Sequence, residues 1–273
     1  MTHSSSSITK RMIGDVAVVD IGPASTERPP IVMVHGGLHG AWCWEPLQTL
    51  FAVAGWSTTA LDWLNRGSSA PLERQEWLRR DVVAVRREVG LVCEAIARET
   101  GQAPIVMGHS MGGLATLAHA TLNDQPLTAM VLLAPVVTSG YADALAEVSV
   151  DLDEPWGPPP FEVAQQLFFT DVGPEDAKAY YALLEAESPA AVWQATRWTA
   201  ELPLEKLRGL PVLALGAGRD PLVPAEAVRN LSTTLNGDFH EFPDAGHGLT
   251  LDPAHRDVFR TTAAWLQERV LGQ

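Results

Sequence analysis

The feature that most constrains the fold is the stretch APIVMGHSMGGLATL at residues 103–117. Residues 105–107 are apolar and typical of a buried strand, residues 108–112 indicate a sharp turn, and residues 114–121 have the pattern of a helix. In this strand–turn–helix setting, G-x-S-x-G holds its serine in a strained backbone conformation, at about 1–3 kcal/mol, with Oγ exposed. The sequence therefore predicts Ser110 as a nucleophile.

Small residues flank the serine where neighbouring backbones must pass closely. Gly108 and Gly112 stand two residues before and after Ser110, and Gly113 leaves room for the helix to pack on its strand. The helix N-terminus also favours the negative charge that develops during nucleophilic attack. The alternative is a flexible Gly-Ser loop, but few such loops follow a β-branched strand and open directly onto an Ala/Leu-rich helix.

Composition restricts the class of partner. The chain has 273 residues, 46% of them hydrophobic, and a formal net charge of −14. An acidic surface repels phosphate backbones and anionic lipids, so neither a nucleic acid nor a membrane is expected as a partner. The chain has two cysteines, Cys43 and Cys93, which predict no disulfide framework. Because no signal peptide or membrane-spanning run is apparent, a cytoplasmic protein is expected.

Strand and helix patterns alternate along the chain, which predicts an α/β fold with a mainly parallel sheet flanked by helices. We predict strands at residues 16–21, 31–34, 56–61, 105–107, 129–134, 211–216 and 238–242, and helices at 42–55, 77–99, 114–121 and 254–270. We also predict a flexible tail over residues 1–12, a core over residues 13–136 and 209–273, and an inserted helical cap over residues 137–208. This last segment is rich in proline and aromatic residues, and its alternative is a helical layer that completes the core.

A serine hydroxyl needs an adjacent base, and a histidine base needs an acid to orient it. His247 follows the last predicted strand between two glycines, and Asp220 follows the strand before it. Both should therefore lie at the same sheet edge as Ser110. Asp244 and Asp252 are rival acids, but they are too close to His247 in sequence to fold back easily. The other histidines fit core or surface roles better.

The oxyanion of an acyl-transfer intermediate needs two fixed N–H donors. Met111, the residue after the nucleophile, should supply one. Gly37 should supply the other, with Leu38 as the second candidate. Cys43 could be a thiol nucleophile, but it does not stand in a strand–turn–helix setting like that of Ser110. It fits a buried apolar position better. His35 and His39 are four residues apart without further ligands, so we expect no metal, and no cofactor is required.

The segment VHGGLHGAWCW at residues 34–44 adds a resemblance. Over residues 13–270 the chain resembles the α/β-hydrolase superfamily, whose order of nucleophile, acid and base matches Ser110, Asp220 and His247. The segment is similar to the branch of plant-type methylesterases and hydroxynitrile lyases. Where the lyases have a threonine and a lysine, this chain has Gly36 and Gly248. The resemblance therefore favours an esterase over a lyase.

These observations predict a carboxylic-ester hydrolase acting through an acyl-enzyme on a small ester with an apolar acyl or alcohol group, as a monomer or a homodimer. The residues expected to bind substrate are Leu38, Trp156, Phe168 and Trp193. The same triad could serve a thioesterase, a lactonase or a carbon–carbon bond hydrolase, or a cofactor-free perhydrolase of the haloperoxidase type. A ligand-binding receptor on a hydrolase scaffold is the alternative from a different class.

Overall fold

The structure is a computed structural model that describes residues 7–23, 27–141 and 148–272. Its strands are β1 (Ser7–Ile13), β2 (Val16–Gly22), β3 (Ile31–Val34), β4 (Thr58–Leu61), β5 (Ile105–His109), β6 (Ala129–Leu133), β7 (Val212–Ala217) and β8 (Asp238–Phe242). Its α helices are α1 (Glu45–Val53), α2 (Arg74–Leu78), α3 (Arg86–Thr100), α4 (Met111–Leu122), α5 (Phe161–Phe168), α6 (Pro174–Tyr181), α7 (Pro189–Arg197), α8 (Ala225–Thr234) and α9 (His255–Arg269). Short 3-10 helices span Ala41–Trp44, Val83–Val85 and Leu204–Leu207.

The strands form one eight-stranded sheet in the order β1-β2-β4-β3-β5-β6-β7-β8. The pairs β1–β2 and β2–β4 are antiparallel, and every pairing from β4 to β8 is parallel. The carboxyl ends of β5, β7 and β8 therefore meet at one edge of the sheet, where ligand sites of open parallel sheets form. The predicted α/β architecture with a mainly parallel sheet is confirmed.

The core lies on both faces of the sheet because alternate residues of a strand point to opposite sides. In β3, Val32 packs into one cluster with side chains of α3, α4 and α8, whereas Met33 packs into the other with α1 and α9. Both residues are fully buried. Strands covered on both faces read as continuous apolar runs, which is why the central strands were visible in the sequence.

The chain between β6 and β7 contains α5, α6 and α7 and folds over the carboxyl edge of the sheet. We call residues 148–208 of this connection the inserted segment. Its contacts with the core include the side chain of Gln194, which accepts hydrogen bonds from the backbone of Val82 (2.9 Å) and Val83 (3.3 Å). Residues 142–147, part of the predicted cap, lie outside the described residues.

Two sequence predictions of local structure are wrong. Residues 7–12, assigned to the flexible tail, form most of β1, which hydrogen-bonds to β2 along its whole length; residues 1–6 lie outside the described residues. The single helix predicted at residues 77–99 is interrupted: α2 ends at Leu78, and α3 begins at Arg86 after a 3-10 turn. Asp81 accepts a hydrogen bond from Ala84 N at 2.8 Å, and Gln194 accepts hydrogen bonds from the backbone N–H groups of Val82 and Val83. These contacts interrupt the helix that the sequence pattern predicts.

Candidate active site

Ser110 occupies the sharp turn between β5 and α4. Its backbone has φ +54° and ψ −122°, outside the regions that an L-residue normally adopts. The flanking glycines are required by close backbone approach: a Cβ added at Gly112 would lie 2.3 Å from the carbonyl oxygens of Val34 and His35. A Cβ at Gly108 would lie 2.4 Å from Thr116 Oγ1. The surrounding backbone therefore holds the serine in its strained position.

His247 and Asp220 meet Ser110 in one hydrogen-bonded row. His247 Nε2 is 2.8 Å from Ser110 Oγ, and His247 Nδ1 is 2.7 Å from Asp220 Oδ2. The other carboxylate oxygen of Asp220 accepts the backbone N–H groups of Leu222 (2.8 Å) and Val223 (3.0 Å). With the carboxylate fixed in this way, His247 carries its proton on Nδ1 and presents a lone pair to the serine hydroxyl.

The rival acids are placed elsewhere. Asp244 is exposed in the loop that also carries His247, and its backbone carbonyl accepts a hydrogen bond from Arg219 at 2.7 Å. Asp252 is fully buried, and neither of its carboxyl oxygens has a hydrogen-bond partner among the described residues. Cys43 is also fully buried, and burial raises the pKa of its thiol. A thiol held in the protonated form is a poor nucleophile.

The candidate oxyanion donors are the backbone N–H groups of Gly37 and Met111. Met111 is the first residue of α4, where a helix leaves its N–H groups without intrahelical acceptors. A Cβ at Gly37 would lie 2.6 Å from Met111 Sδ, so the two residues are in close contact. The N–H of Leu38, the second candidate, is already bonded to Glu187 Oε2 at 3.2 Å. This leaves Gly37 as the better donor.

Two buried histidines organise the loop that carries Gly37. His35 Nδ1 donates to the carbonyl of Gly36 (2.7 Å), and His39 Nδ1 donates to the carbonyl of Gly37 (2.9 Å). Because C=O and N–H of a trans peptide point in opposite directions, the His35 bond also aims the N–H of Gly37. Burial lowers the pKa of both rings, that of His39 to about 4, so both are neutral donors at pH 7.

An apolar cavity of about 260 Å³ opens above Ser110. No acidic, basic or histidine side chain of the described chain lines it. The lining residues comprise Gly37, Leu38, Ser110, Met111, Val136, Val148, Trp156, Pro159, Val163, Leu167, Phe168, Val192, Ala195, Thr196, Trp198, Pro221, Leu222 and Val223. Larger surface depressions, of about 650, 620, 470 and 340 Å³, contain none of Ser110, Asp220 and His247.

Three of the four predicted substrate-binding residues, Leu38, Trp156 and Phe168, line this cavity, and Trp193 does not. Trp193 is 40% exposed, and its ring lies 5.2 Å from the guanidinium carbon of Arg197. On α7, Val192 and Thr196 are four residues apart and therefore share the face towards the cavity, whereas Trp193 points to another side. The sequence missed Val192 and Thr196 because the rotation of a short helix depends on its packing.

The sequence pattern of the alpha/beta hydrolase family matches residues 31–260, which is most of the chain and includes every residue of the hydrogen-bonded row. The chain belongs to the alpha/beta hydrolase family. No helix in the described part of this alpha/beta hydrolase has the length and apolar character needed to cross a membrane. Within the same residues, no group of three or more His, Cys, Asp or Glu side chains is arranged to hold a metal ion.

Two relatives of this alpha/beta hydrolase that come from plants match part of its chain. It is 31% identical over 118 residues to norfluorocurarine synthase 1 of a Strychnos species, covering 42% of each chain. It is also 31% identical over 121 residues to esterase PIR7B of Oryza sativa subsp. japonica, covering 43% of this chain and 42% of the relative. The chain thus spans about two fifths of the length of the curated relatives that it matches.

A solved structure extends the likeness over most of the fold. The crystal structure of the methylesterase MES16 from Arabidopsis superimposes with a TM-score of 0.69. It covers 88% of this chain and 99% of the Arabidopsis chain, at 20% sequence identity. At this identity the likeness establishes the shared fold. Together with the plant relatives, it agrees with the resemblance to the methylesterase branch.

Proposed function

We propose that this alpha/beta hydrolase is a carboxylic-ester hydrolase that acts through an acyl-enzyme formed on Ser110. The observation that carries the proposal is the hydrogen-bonded row: Ser110 Oγ to His247 Nε2 at 2.8 Å, and His247 Nδ1 to Asp220 Oδ2 at 2.7 Å. These distances are those of a nucleophile, its base and the acid that orients the base. The esterase relative and the methylesterase fold support the same reaction class.

In the proposed reaction, Ser110 Oγ attacks the ester carbonyl carbon while His247 Nε2 takes the hydroxyl proton. The carbonyl oxygen becomes an oxyanion, which accepts hydrogen bonds from the backbone of Gly37 and Met111. When the intermediate collapses, the C–O bond to the alcohol breaks and His247 donates its proton to the leaving oxygen. His247 then takes a proton from a water molecule, whose oxygen attacks the acyl carbon. As the bond between that carbon and Ser110 Oγ breaks, the acid is released and His247 returns the proton to Ser110.

The substrate that fits best is a neutral ester with a small apolar acyl or alcohol group. The cavity above Ser110 is apolar, and its volume of about 260 Å³ lies just below the usual range of small-molecule sites, roughly 300–1,000 Å³. We infer that the inserted segment acts as a cap, because residues of α5 and α7 supply much of the wall. A charged group would lose its hydration there without gaining a partner.

The proposal is tested with p-nitrophenyl acetate, butyrate and octanoate, using wild type and Ser110→Ala. We expect turnover by the wild type with a preference for the shorter chains, and loss of turnover in the variant by a factor of about 10⁶ in kcat. A fluorophosphonate probe should label the wild type and leave Ser110→Ala unlabelled, which tests the nucleophile without assuming a substrate. Equal activity of the two proteins would refute the mechanism.

Matched thioester, lactone and diketone substrates of the same carbon number define the reaction class. Faster turnover of the oxygen ester supports the proposal. A wild type that is labelled by the probe but turns over only one of the other classes would replace the esterase assignment with that class, since the same row can serve each of them.

A further inference from the structure

Arg66 and Glu187 form a buried ion pair between the core and the inserted segment. Arg66 lies in the loop after β4, and Glu187 lies between α6 and α7. The Nη2–Oε2 distance is 2.8 Å, and each residue is only 3% exposed. Nη1 and Nε of Arg66 have no hydrogen-bond partner among the described residues. Because burying two charges is expensive, such a pair is weak evidence for a role in stability alone.

The same carboxylate oxygen of Glu187 accepts the backbone N–H of Leu38 at 3.2 Å. The other end of that peptide unit, the carbonyl of Gly37, accepts the ring N–H of His39 at 2.9 Å. The carbonyl of Leu38 in turn accepts the N–H of Glu185 at 3.0 Å. The 37–38 peptide is therefore held at both ends, and one of its two partners belongs to the inserted segment.

This peptide needs such support because Leu38 has a φ of +64°. A non-glycine residue with positive φ is strained and persists where its surroundings determine it. A peptide flip rotates ψ of one residue together with φ of the next, so Gly37 followed by a strained Leu38 is a sequence that favours a flip. A flip would turn the N–H of Leu38 away from Glu187 and the carbonyl of Gly37 away from His39. The loop would then be free to relax at Gly37, the proposed oxyanion donor.

We propose that Glu187 is a positioning residue for the oxyanion loop: its carboxylate, held by Arg66, fixes the 37–38 peptide and so places Gly37 N–H for the transition state. The inference rests on the proposed function, since it assigns the groups that place one of its oxyanion donors. It also makes the active geometry depend on the inserted segment being docked on the core, because Glu187 reaches Leu38 only from that segment.

The test compares two double variants, Arg66→Met/Glu187→Gln and Arg66→Met/Glu187→Met. Removing both charges avoids the uncompensated buried charge that a single substitution would leave, so both proteins should fold. The glutamine keeps an oxygen that can accept from Leu38 N, and the methionine has no such acceptor. Ser188 N, which donates to Glu187 Oε1 at 2.9 Å, loses its carboxylate partner in both variants, so this loss largely cancels in the comparison.

We expect kcat on p-nitrophenyl butyrate to fall by roughly 100-fold in the methionine variant, the scale of a misplacement of about 1 Å. The glutamine variant should keep a kcat at least about tenfold higher than the methionine variant, and KM should change little in both. An alkyl trifluoromethyl ketone, which adds to Ser110 and places an oxyanion in the hole, should lose affinity by the same factor as kcat. The corresponding methyl ketone should bind equally to both variants.

Glu154→Gln is the matched control. Glu154 also joins the inserted segment to the core through an ion pair, with Arg74 at 2.8 Å, but both side chains are more than half exposed. It should therefore retain wild-type kcat. Equal kcat in the two double variants would overturn the inference. A rise in KM at unchanged kcat, together with weaker binding of the methyl ketone, would overturn it as well. In either case a wild type that depends on Ser110 would leave the esterase proposal standing, whereas a wild type without esterase turnover would overturn both.

Discussion

His109 Nε2 donates a hydrogen bond of 2.8 Å to the backbone carbonyl of His247. A carbonyl can only accept, so Nε2 carries the proton, and burial lowers the pKa of His109 well below its usual value. The ring is therefore neutral and has a fixed tautomer. The residue before the nucleophile thus holds the backbone of the proposed base. Ser110 and His247 are therefore linked twice, once through their side chains and once through the ring of His109.

Replacing His109 with phenylalanine should weaken catalysis as well as folding. The carbonyl of His247 would keep the N–H of Leu249 (2.9 Å) as a partner, so the cost is that of one lost hydrogen bond, about 0.5–1.5 kcal/mol of unfolding free energy. We expect kcat to fall by roughly 10- to 100-fold, because His247 would no longer be held against Ser110. Urea unfolding and steady-state kinetics measure the two effects. His119→Phe is the control: His119 is buried in α4 and bonded to Asn123, so it should lose stability with kcat unchanged.

Asp220→Asn should keep the fold and lose activity. An amide nitrogen facing His247 Nδ1 would favour the tautomer that places a proton on Nε2, where a lone pair is needed. We expect kcat to fall by about 10⁴-fold. Asp244→Asn neutralises an exposed carboxylate three residues before His247 and should retain activity. If the Asp244 variant were the inactive one, the assignment of the acid would be wrong.

Trp156→Ala and Trp193→Ala delete the same side chain inside and outside the cavity. Trp156 lines the space above Ser110, so its removal should shift the preferred p-nitrophenyl ester from short towards longer acyl chains. Trp193 is exposed and stacks on Arg197, so its removal should leave the chain-length profile of kcat/KM unchanged. A shift of the profile by Trp193→Ala would contradict the cavity described above.

Asp252 should make the protein less stable as the pH rises. Burial, followed by the charge of Asp171, raises its pKa from 3.8 to about 7, while His247 and Arg219 act in the opposite direction. Between these values the folded state binds the proton more tightly than the unfolded state. The resulting stabilisation is fully present below pH 4 and is lost as the pH rises through 7.

Asp252→Asn removes this titration. We expect the unfolding free energy of the variant, relative to wild type, to increase by about 3–4 kcal/mol from pH 4 to pH 8. Urea unfolding of both proteins at several pH values measures the difference. The contributions of the other titrating groups to the unfolding free energy are common to both proteins and cancel. A difference independent of pH would show that Asp252 is ionised throughout.

Much of the sheet and of the candidate site could be predicted because the relevant signals are local. The central strands are buried on both faces and appear as apolar runs, and the glycines around Ser110 mark the elbow directly. His247 and Asp220 could be paired with Ser110 because parallel strands bring their carboxyl ends to one edge. The structure brings these three residues together as the sequence indicated.

The rest depends on contacts between distant residues. Residues 7–12 form a strand although Ile8 and Met12 stay largely exposed, so no buried stripe marks it. The break before α3 depends on Gln194, more than 100 residues away. Glu187 and Arg66 are 121 residues apart, and neither stands in a motif. Their meeting depends on how the inserted segment docks, which periodicity and spacing do not encode.

Because β8 lies at the edge of the sheet, its position affects how the proposed activity would be lost on heating. β8 is the last strand, paired within the described chain to β7 alone, and His247 is in the loop that follows it. Edge strands with partly exposed residues open at a lower free energy than central ones. The proposed base would then detach while the central sheet is intact, so inactivation would precede melting. Asp238 of β8 contacts Arg269 and Trp265 of α9. Substitutions that strengthen these contacts would raise the temperature at which activity is lost more than substitutions in the core would.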